Sequence, residues 1–576
     1  MRDSGKIHFL AILLLGSLAW AQPLATSGQA FSTSGGSGTV NVTLPAGQIW
    51  TALSGASWLT FTGAVSGNGN GAVGYQVAAN GGTARSTTIT VAGFTFTVEQ
   101  QSDAIPGRAL IGSMAHLAAA ENWTTSFTIV NKDTIAATAR LSFFGDAVDP
   151  SGNGPLLLPL AFPQQAAALP FMAATLDRPL AANASLVINT AGAQVAPVLV
   201  GSGRLEATGV LDGFAIFHQL ATQQEAVVPL ETRSAGSYFL AFDNTSGVVL
   251  GVALENVSAV AGNVGVVIRD DNGTVIGPAG ATIALAGSGH TSFVLSDPVQ
   301  GFAVTANRRG TVEFKTPALG RISVLGLRFT PPNNALTTIP ALANVGINGG
   351  SIAHLATGNN WQTTFVLVNV GAGVAQTHLK FFGDGGAPLL LPIGFPQSGG
   401  GTTQTASGVD QTLAAGATLI VQSAAPLSDR APTVGSAQLT TTGNVSGFVI
   451  FRYNPSGQEA VVPLESRNAS AYILAFDNTA GIATGVAINS VATQAVNIPV
   501  TVRNEAGTQI ATDLIPLAVN GHLAFTLVSD KYPGTANIRG TIEFGKPTAN
   551  ALIGALGIRI PPAAAHTFTT LPALAK

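Results

Sequence analysis

The sequence has no cysteine and few charged residues. Without cysteine among its 576 residues, the chain can form no disulfide, thiol nucleophile or lipidated cysteine, so its stability must come from packed cores. Charged residues make up 9% of the chain and the formal net charge is −3, whereas ordinary globular proteins are roughly a quarter charged. Binding to nucleic acid or to an anionic membrane surface needs a basic stripe or patch. We therefore predict no nucleic-acid partner and no polybasic membrane contact.

Long hydrophobic runs are also missing beyond the N-terminus. There, Arg2 and Lys6 precede an apolar run over residues 9–18, and Ala19 and Ala21 supply the small residues of a cleavage site. This pattern predicts a Sec-type signal peptide over residues 1–21. An anchor helix is the alternative, but the run is shorter than the ~20 residues that span a bilayer. We expect an exported bacterial protein, secreted or at the cell surface, with no transmembrane segment in the mature chain.

The chain contains an internal duplication of one long unit. Residues 213–245 and 447–479 are identical at 21 of 33 positions, and the similarity extends from about Gly112 to Lys576. A duplicated unit of this kind builds length and repeated surface more readily than a single catalytic centre.

Short β-branched segments separated by turn residues run through the mature chain. Residues 126–130, 364–368 and 497–502 are examples, each followed by a turn rich in Asn, Asp or Gly. This spacing predicts antiparallel sandwiches. The predicted fold class is all-β, a multi-domain string of Ig-like antiparallel β-sandwiches. The predicted domains are a signal peptide (1–21), a first sandwich (27–101), two halves of the first repeat (107–235 and 236–343) and two halves of the second repeat (345–467 and 468–576).

The first predicted sandwich carries a recognisable order of motifs. Ser57-Trp58-Leu59 is followed by a glycine-rich turn before a strand that contains Tyr75, then by Asn80 and Arg85, and the module ends in Phe96-Thr97-Val98-Glu99-Gln100. This order resembles the BACON family of small β-sandwiches in bacterial secreted proteins. The resemblance implies a β-sandwich of about 75 residues and a role in carbohydrate binding.

Histidines present in both repeats are the first candidates for chemistry. His116 and His354 occupy equivalent positions, as do His290 and His522. No His-x-His or His-Glu-x-x-His motif occurs, so we predict no metal site. His116 and His354, with Trp123 and Trp361 a few residues later, are predicted to hydrogen-bond the backbone, and the alternative is a ligand-binding role.

Repeated carboxylates are the second set of candidates. Asp146 and Asp384 end strands, where an aspartate usually caps a turn. Asp243 and its counterpart Asp477 also suit turns, and a contribution to a calcium site is the alternative. Asp270, in the sequence Asp-Asp-Asn-Gly, reads as a hairpin turn.

The repeated glutamates could in principle form the paired acids of a glycoside hydrolase. Their six-residue spacing, with a proline between them, disfavours two carboxylates facing across a cleft. We expect ion pairs with the nearby arginines instead. The residues concerned are Glu225, Glu231 and Arg233 in the first repeat and Glu459, Glu465 and Arg467 in the second.

Aromatic residues are scarce, with five Trp and five Tyr. Sugar rings commonly stack on exposed aromatic rings in β-sandwiches. Trp58 lies in an apolar run and is expected in the core, whereas Trp50 and Tyr75 are predicted to be exposed and able to stack on a sugar.

The sequence therefore predicts a non-catalytic binding or adhesion protein that uses no cofactor. The candidate ligand-binding residues are Trp50, Tyr75, His116, Trp123, His354 and Trp361. The expected partner is an extracellular carbohydrate or a surface protein. A purely structural cell-surface or matrix protein is the alternative, and a polysaccharide hydrolase is a less favoured one.

Overall fold

The fold is all-β, as predicted. The computed structural model describes residues 22–103, 105–146, 154–165, 169–191, 197–346, 349–399, 403–424, 431–467, 469–547, 552–562 and 567–576. The predicted signal peptide, residues 1–21, lies outside the described residues. Within the described ranges, the helical turns are Ala303–Thr305, Pro396–Ser398, Leu527–Lys531 and Pro533–Thr535. None of them approaches the length or apolar character that a membrane-crossing helix needs.

The first eight strands build the N-terminal sandwich. They are β1 (Gly28–Phe31), β2 (Gly36–Val42), β3 (Ile49–Leu53), β4 (Leu59–Phe61), β5 (Ser66–Asn68), β6 (Gly71–Val77), β7 (Arg85–Val91) and β8 (Phe94–Gln100). One sheet has the order β2-β6-β4, and the other runs β1-β8-β7-β3-β5. Alternating strand residues such as Val73, Tyr75 and Val77 fill the core between them, as a half-buried strand requires.

The first repeat forms two sandwiches. Sandwich 1 has β9 (Ala109–Ala119), β10 (Trp123–Asn131), β11 (Ala137–Gly145), β12 (Leu158–Ala161), β13 (Phe171–Ala173), β14 (Thr175–Leu180), β15 (Ser185–Thr190), β16 (Leu199–Ala207), β17 (Leu211–Gln219) and β18 (Gln224–Pro229). Sandwich 2 has β19 (Ser237–Asp243), β20 (Val249–Asn256), β21 (Gly262–Asp270), β22 (Thr282–Leu285), β23 (His290–Val294), β24 (Arg309–Lys315), β25 (Ile322–Thr330), β26 (Ala335–Pro340) and β27 (Leu342–Ala343).

The second repeat forms two more. Sandwich 3 has β28 (Gly349–Thr357), β29 (Trp361–Asn369), β30 (Ala375–Phe382), β31 (Leu391–Gly394), β32 (Gln404–Ala406), β33 (Gly408–Leu413), β34 (Thr418–Ser423), β35 (Thr433–Thr441), β36 (Val445–Tyr453) and β37 (Gln458–Pro463). Sandwich 4 has β38 (Tyr472–Asp477), β39 (Ala483–Ser490), β40 (Val496–Asn504), β41 (Gln509–Leu517), β42 (His522–Thr526), β43 (Arg539–Phe544), β44 (Ile553–Ile560), β45 (Thr569–Leu571) and β46 (Leu574–Ala575).

Equivalent sheets recur in the two repeats. Sandwich 1 pairs β18-β17-β10-β15-β12-β13 with β14-β11-β16-β9, and sandwich 3 pairs β37-β36-β29-β34-β31-β32 with β33-β30-β35-β28. Close packing requires glycine at the equivalent positions 213 and 447. A Cβ atom at Gly213 would lie 2.4 Å from the Thr128 carbonyl oxygen, and one at Gly447 would lie 2.3 Å from that of Val366. These glycines allow β17 and β36 to approach their neighbouring strands closely.

The N-terminal sandwich is joined to sandwich 1 by a continuous sheet. Strand β1 pairs in parallel with both β8 and β13, which produces an 11-stranded sheet across the two modules. Arg140, 5% exposed, fixes the contact with a hydrogen bond from Nη2 to the Ser102 carbonyl oxygen at 2.7 Å and ion pairs to Asp103 and Asp177 at 2.8 and 2.6 Å. The segment after the first module is therefore held against sandwich 1.

The equivalent face of sandwich 3 is open. Strand β32, the counterpart of β13, is an edge strand, and polar Gln404 replaces Phe171 at that position. His378 and Asp410 replace Arg140 and Asp177, with side chains 46% and 76% exposed. Docking of the N-terminal module is thus specific to the first repeat.

This asymmetry gives a prediction with an internal control. We expect Arg140→Ala to weaken docking of the N-terminal module, because Asp177 and the Ser102 carbonyl would lose a buried charged donor. Limited tryptic cleavage after Arg108 should then become several-fold faster. The equivalent His378→Ala should leave the cleavage rate unchanged, since that site is exposed. Equal rates for the wild type and Arg140→Ala would contradict the role of Arg140.

The four repeat sandwiches close into a ring. Strand β18 of sandwich 1 lies beside β26 of sandwich 2 and β45 of sandwich 4, and β37 of sandwich 3 lies beside the same two strands. All four are edge strands of their sheets, so the ring covers edges that would otherwise be open to pairing with other chains. The predicted string of sandwiches is therefore packed through these strands, and the two repeats are related by pseudo-twofold symmetry.

Apolar and ionic contacts both join one repeat to the other. Phe448 and Ile450 of sandwich 3 pack into the core of sandwich 2, and their counterparts Phe214 and Ile216 of sandwich 1 pack on sandwich 4. Lys132 in sandwich 1 donates to the carbonyl of Ala575 at 2.6 Å, so the last strand of the chain is held by the first repeat.

One buried ion pair of the first repeat is replaced at both positions in the second. Arg204 and Glu255, with Nε–Oε1 2.6 Å, become Gln438 and Asn489. A charge left alone in such a buried place would be strongly destabilising, which explains why neither charge of this pair is present without the other.

Candidate functional site

The two rings expected to stack on sugar are buried. Trp50 is 3% exposed and its Nε1 donates to the Gly69 carbonyl oxygen at 3.0 Å. Tyr75 is fully buried, its hydroxyl lies 3.1 Å from Gln29 Oε1, and burial raises its pKa well above the usual value. The prediction of exposed rings is wrong because both residues point to the core face of their strands. Trp58, expected in the core, packs against it while partly exposed, with the Arg85 guanidinium 4.5 Å from its ring centre.

Trp123 and Trp361 are packing residues at the start of equivalent strands. Each is partly buried against the core of its sandwich. The Trp361 ring lies 5.1 Å from Tyr453 and 5.2 Å from Phe568 of sandwich 4, measured between ring centres. This ring therefore helps to join the two halves of the second repeat, and little of it is left for a ligand.

Three retained polar residues of the first repeat converge on a buried cluster. His116 Nδ1 lies 3.0 Å from His290 Nε2, and His290 Nδ1 contacts Asp146 Oδ1. His116 and Asp146 belong to sandwich 1, whereas His290 starts β23 of sandwich 2. The cluster thus crosses the boundary between the two halves of the repeat.

The second repeat holds the same cluster. His354 Nδ1 lies 3.1 Å from His522 Nε2, and His522 Nδ1 lies 2.8 Å from Asp384 Oδ1. The sequence identified these residues singly, with the aspartates as turn residues and His116 and His354 bonded to backbone. The sequence did not predict that the two histidines and the aspartate of each repeat meet. The one sequence feature that pointed to it is that all three positions are identical in both repeats.

Burial keeps the first histidine of each cluster neutral. Burial, followed by the charge of the neighbouring histidine, lowers the pKa of His116 and of His354 from 6.5 to about 3. Burial also lowers the pKa of His522, and Asp384 partly opposes that effect. His116 and His354 are therefore uncharged near neutral pH.

This arrangement does not match a hydrolytic triad. In a Ser-His-Asp triad, the histidine nitrogen opposite the aspartate faces a nucleophile. Here that nitrogen of His290 and of His522 faces another imidazole, and both side chains have 0% exposure. Among the described residues, no group of three His, Cys, Asp or Glu is placed to hold a metal ion. The geometry suits a hydrogen-bonded joint between sandwiches.

The glutamates considered for hydrolysis are held in ion pairs. Glu231 pairs with Arg233, with Oε2–Nη2 2.6 Å, and Glu465 pairs with Arg467 in the same way, so the expected ion pairs of these residues are confirmed.

Glu225 and Glu459 have partners that the sequence did not identify. Glu225 pairs with Arg559 of the other repeat at 2.9 Å, and Glu459 pairs with Arg328 of the other repeat at 2.8 Å and with Arg452 at 2.9 Å. Burial would raise the pKa of Glu225, but the hydrogen bonds and charges of His218 and Arg559 outweigh it and lower that pKa. A general acid needs the opposite shift.

The aspartate turns are as expected. Asp243 Oδ1 accepts hydrogen bonds from the backbone nitrogen and hydroxyl of Thr245 at 3.0 and 2.6 Å, and its Oδ2 accepts one from Arg309 Nε at 3.0 Å. Asp270 Oδ1 accepts from the backbone nitrogens of Asn272 and Thr274. These oxygens are therefore used within their own turns and strands.

A cavity with a volume of about 750 Å³ lies at the centre of the ring. One proline from each sandwich lines it: Pro229, Pro340, Pro463 and Pro572. The Glu231–Arg233 and Glu465–Arg467 pairs also line the wall, and Arg233 Nη2 donates to the Ala341 carbonyl oxygen at 3.2 Å. A third carboxylate on the wall, Asp212, is paired with Lys132 at 2.9 Å, so each carboxylate that lines the cavity is already bonded to a cation.

Two smaller grooves lie at the boundaries between the repeats. The larger groove, between sandwiches 2 and 3, has a volume of about 340 Å³ and is lined by Arg328, Glu459 and Gln362 among others. The smaller groove, between sandwiches 4 and 1, has about 130 Å³ and is lined by the equivalent residues, including Arg559 and Glu225. The sequence did not predict these grooves, because each is assembled from residues of both repeats.

Comparisons with known proteins identify no family. No family model and no curated protein matches the chain. Among solved structures, a Bacteroides ovatus GH5 xyloglucanase in complex with a XXXG heptasaccharide is similar over 15% of this chain and 19% of that chain, with 25% identity and a TM-score of 0.13. A similarity this short and this weak does not show a shared fold.

Proposed function

We propose that this protein is an exported, non-catalytic binding protein of the adhesion class, whose duplicated unit builds a rigid ring. The observation that carries the proposal is the bonding of the two repeated glutamates, Glu225 and Glu459. Both have side chains 3% exposed and bind arginines of the opposite repeat, so they hold the ring together and neither is a free general acid or base. Rigid, cross-linked scaffolds present binding surfaces with little loss of conformational entropy on association.

Carbohydrate is the ligand class that we propose for this protein. The BACON-like order of motifs in the N-terminal sandwich supports it, as does the signal-peptide pattern, which predicts export. Trp50 and Tyr75 are not available for stacking, so binding has to use another surface. Hydrolysis is disfavoured because the acids are paired with arginines.

The proposal is tested with the purified mature chain and insoluble cellulose and chitin. We expect the protein to co-sediment with at least one polymer while no reducing ends are released. Release of reducing ends, abolished in the double variant Glu231→Gln/Glu465→Gln, would show a hydrolase and overturn the proposal. Absence of co-sedimentation with both polymers would also overturn it and favour the purely structural alternative.

A further inference from the structure

The two grooves between the repeats are equivalent in position and different in size. Both are built where the outer face of one sandwich meets the edge of the sandwich from the other repeat. The larger groove has a volume of about 340 Å³, which lies within the range of about 300–1,000 Å³ that ligand sites occupy. The smaller groove, at about 130 Å³, lies below that range. The chain therefore offers a candidate site and its own internal control.

A row of uncharged polar side chains forms one side of the larger groove. Thr364 and Gln422 face each other across β29 and β34, and Gln422 Nε2 donates to Thr364 Oγ1 at 3.0 Å. Gln362 pairs in register with Arg452, and Arg452 with Glu459. Amides and hydroxyls both donate and accept hydrogen bonds, so this row can bind a ligand that does the same.

The charges of the larger groove are balanced. Three arginines and three carboxylates line it: Arg309, Arg328, Arg452, Asp243, Asp271 and Glu459. Each carboxylate already accepts a hydrogen bond, including one from Thr418 Oγ1 to Asp271 Oδ1 at 2.7 Å. An ionic ligand would bring a charge that no partner in the groove is free to balance.

The arginines keep donors for a neutral ligand. In the part of the chain that the structure describes, Arg328 donates only from Nε and Arg452 only from Nη1, both to Glu459. The remaining guanidinium N–H groups can reach hydroxyl oxygens, while the carboxylates can accept from hydroxyl hydrogens. Pro331 and Pro396 supply an apolar wall on the same groove, which suits the C–H face of a sugar ring.

We propose that the larger groove binds an uncharged, hydroxyl-rich ligand, a saccharide of one or two rings, and that the smaller groove does not. This inference rests on the proposed binding function and gives it a location. It also places the ligand at the boundary between the repeats.

The smaller groove is closed by a different arrangement of the same residues. Arg559 reaches both Glu225 and Asp477, at 2.9 and 3.8 Å. In the larger groove, Arg452 takes one oxygen of Glu459 and Arg328 takes the other. Asn189 Oδ1 and His218 Nε2 in the smaller groove are buried with no partner among the described residues. Its volume suits about four water molecules, which would satisfy those atoms.

The test compares matched double variants. Thr364→Ala/Gln422→Ala removes both partners of one hydrogen bond in the larger groove, and Ser126→Ala/Asn189→Ala changes the equivalent positions of the smaller groove. The probes are cellobiose, chitobiose and maltose, with digalacturonic acid as the charged comparison, measured by calorimetry and saturation-transfer NMR on the mature chain. We expect at least one neutral disaccharide to bind the wild type. Its affinity should fall about tenfold or more in the first variant and stay unchanged in the second. Neither variant should change the unfolding temperature by more than a few degrees.

The possible outcomes distinguish failure of the groove assignment from failure of the proposed function. Binding of a neutral disaccharide that persists in Thr364→Ala/Gln422→Ala, or that falls equally in both variants, overturns the assignment to the larger groove. Preference for digalacturonic acid overturns the ligand class. If the wild type binds none of these disaccharides yet still co-sediments with cellulose or chitin, the groove assignment fails and the proposed function stands. Failure of both assays removes the proposed function as well.

Discussion

Lowering the pH from 8 to 5 is expected to reduce the free energy of unfolding by about 4 kcal/mol through the two histidine clusters alone. His116 and His354 have pKa values of about 3 in the folded protein and 6.5 when unfolded. A pKa lowered by folding means that the unfolded chain takes up protons that the folded chain excludes. The stability these residues contribute is complete above pH 6.5 and is lost progressively as the pH falls toward 3.

Burial explains why protons are excluded, because a charged imidazole loses its hydration there. His290 Nε2 lies 3.0 Å from His116 Nδ1, so a positive charge on one imidazole also disfavours a charge on the other. The same holds for His354 and His522 at 3.1 Å.

Denaturant midpoints measured from pH 8 to pH 5 check this prediction. Carboxylates contribute little in that window, because unfolded glutamate titrates near 4.5. The double variant His116→Gln/His354→Gln serves as the control: whatever its stability at pH 8, its midpoint should vary far less with pH. A wild-type midpoint that stays flat down to pH 5 would contradict the buried, neutral state of these histidines.

Glu459→Gln is expected to destabilise the protein by about 3 kcal/mol or more. The Glu459 side chain is 3% exposed and lies between Arg328 and Arg452. It also accepts a hydrogen bond from the Thr330 hydroxyl at 3.0 Å. Neutralising it leaves two arginines in a partly buried place without a counter-charge. Thermal and denaturant unfolding of the mature chain measure the effect.

The equivalent Glu225→Gln should cost roughly half as much. Its partners are one permanent cation, Arg559, and His218, whose Nδ1 lies 3.5 Å from Glu225 Oε1. Arg559 also has Asp477 as a second partner at 3.8 Å, so it keeps a counter-charge in this variant. If the two variants cost the same, the second arginine at Arg452 has no energetic role in the contact.

Local patterns predicted the fold class and the duplication. Short β-branched segments such as 126–130 form strands, and turn residues such as Asp243 bond to a residue two positions away. Information of this range is readable from one sequence. The ion pairs of Glu231 with Arg233 and of Glu465 with Arg467 span two residues and were predicted for the same reason.

Contacts between distant residues were not predictable in this way. Arg559 and Glu225 are 334 positions apart, and nothing near either residue identifies the other. Trp50 and Tyr75 were misjudged because the face of a strand that is buried depends on the sheet packed against it. The histidine clusters were missed because a sequence shows which polar residues recur and not which of them meet.

Closure of the ring limits how this gene can change. In an open solenoid, each added repeat finds a neighbour to stack on, so repeat number drifts freely. Here each edge strand at the centre, from β18 to β45, already lies between two others, and a third copy of the unit would find no free strand at this centre. Unequal recombination that adds or removes one copy is therefore expected to give a chain that cannot close this ring in the same way.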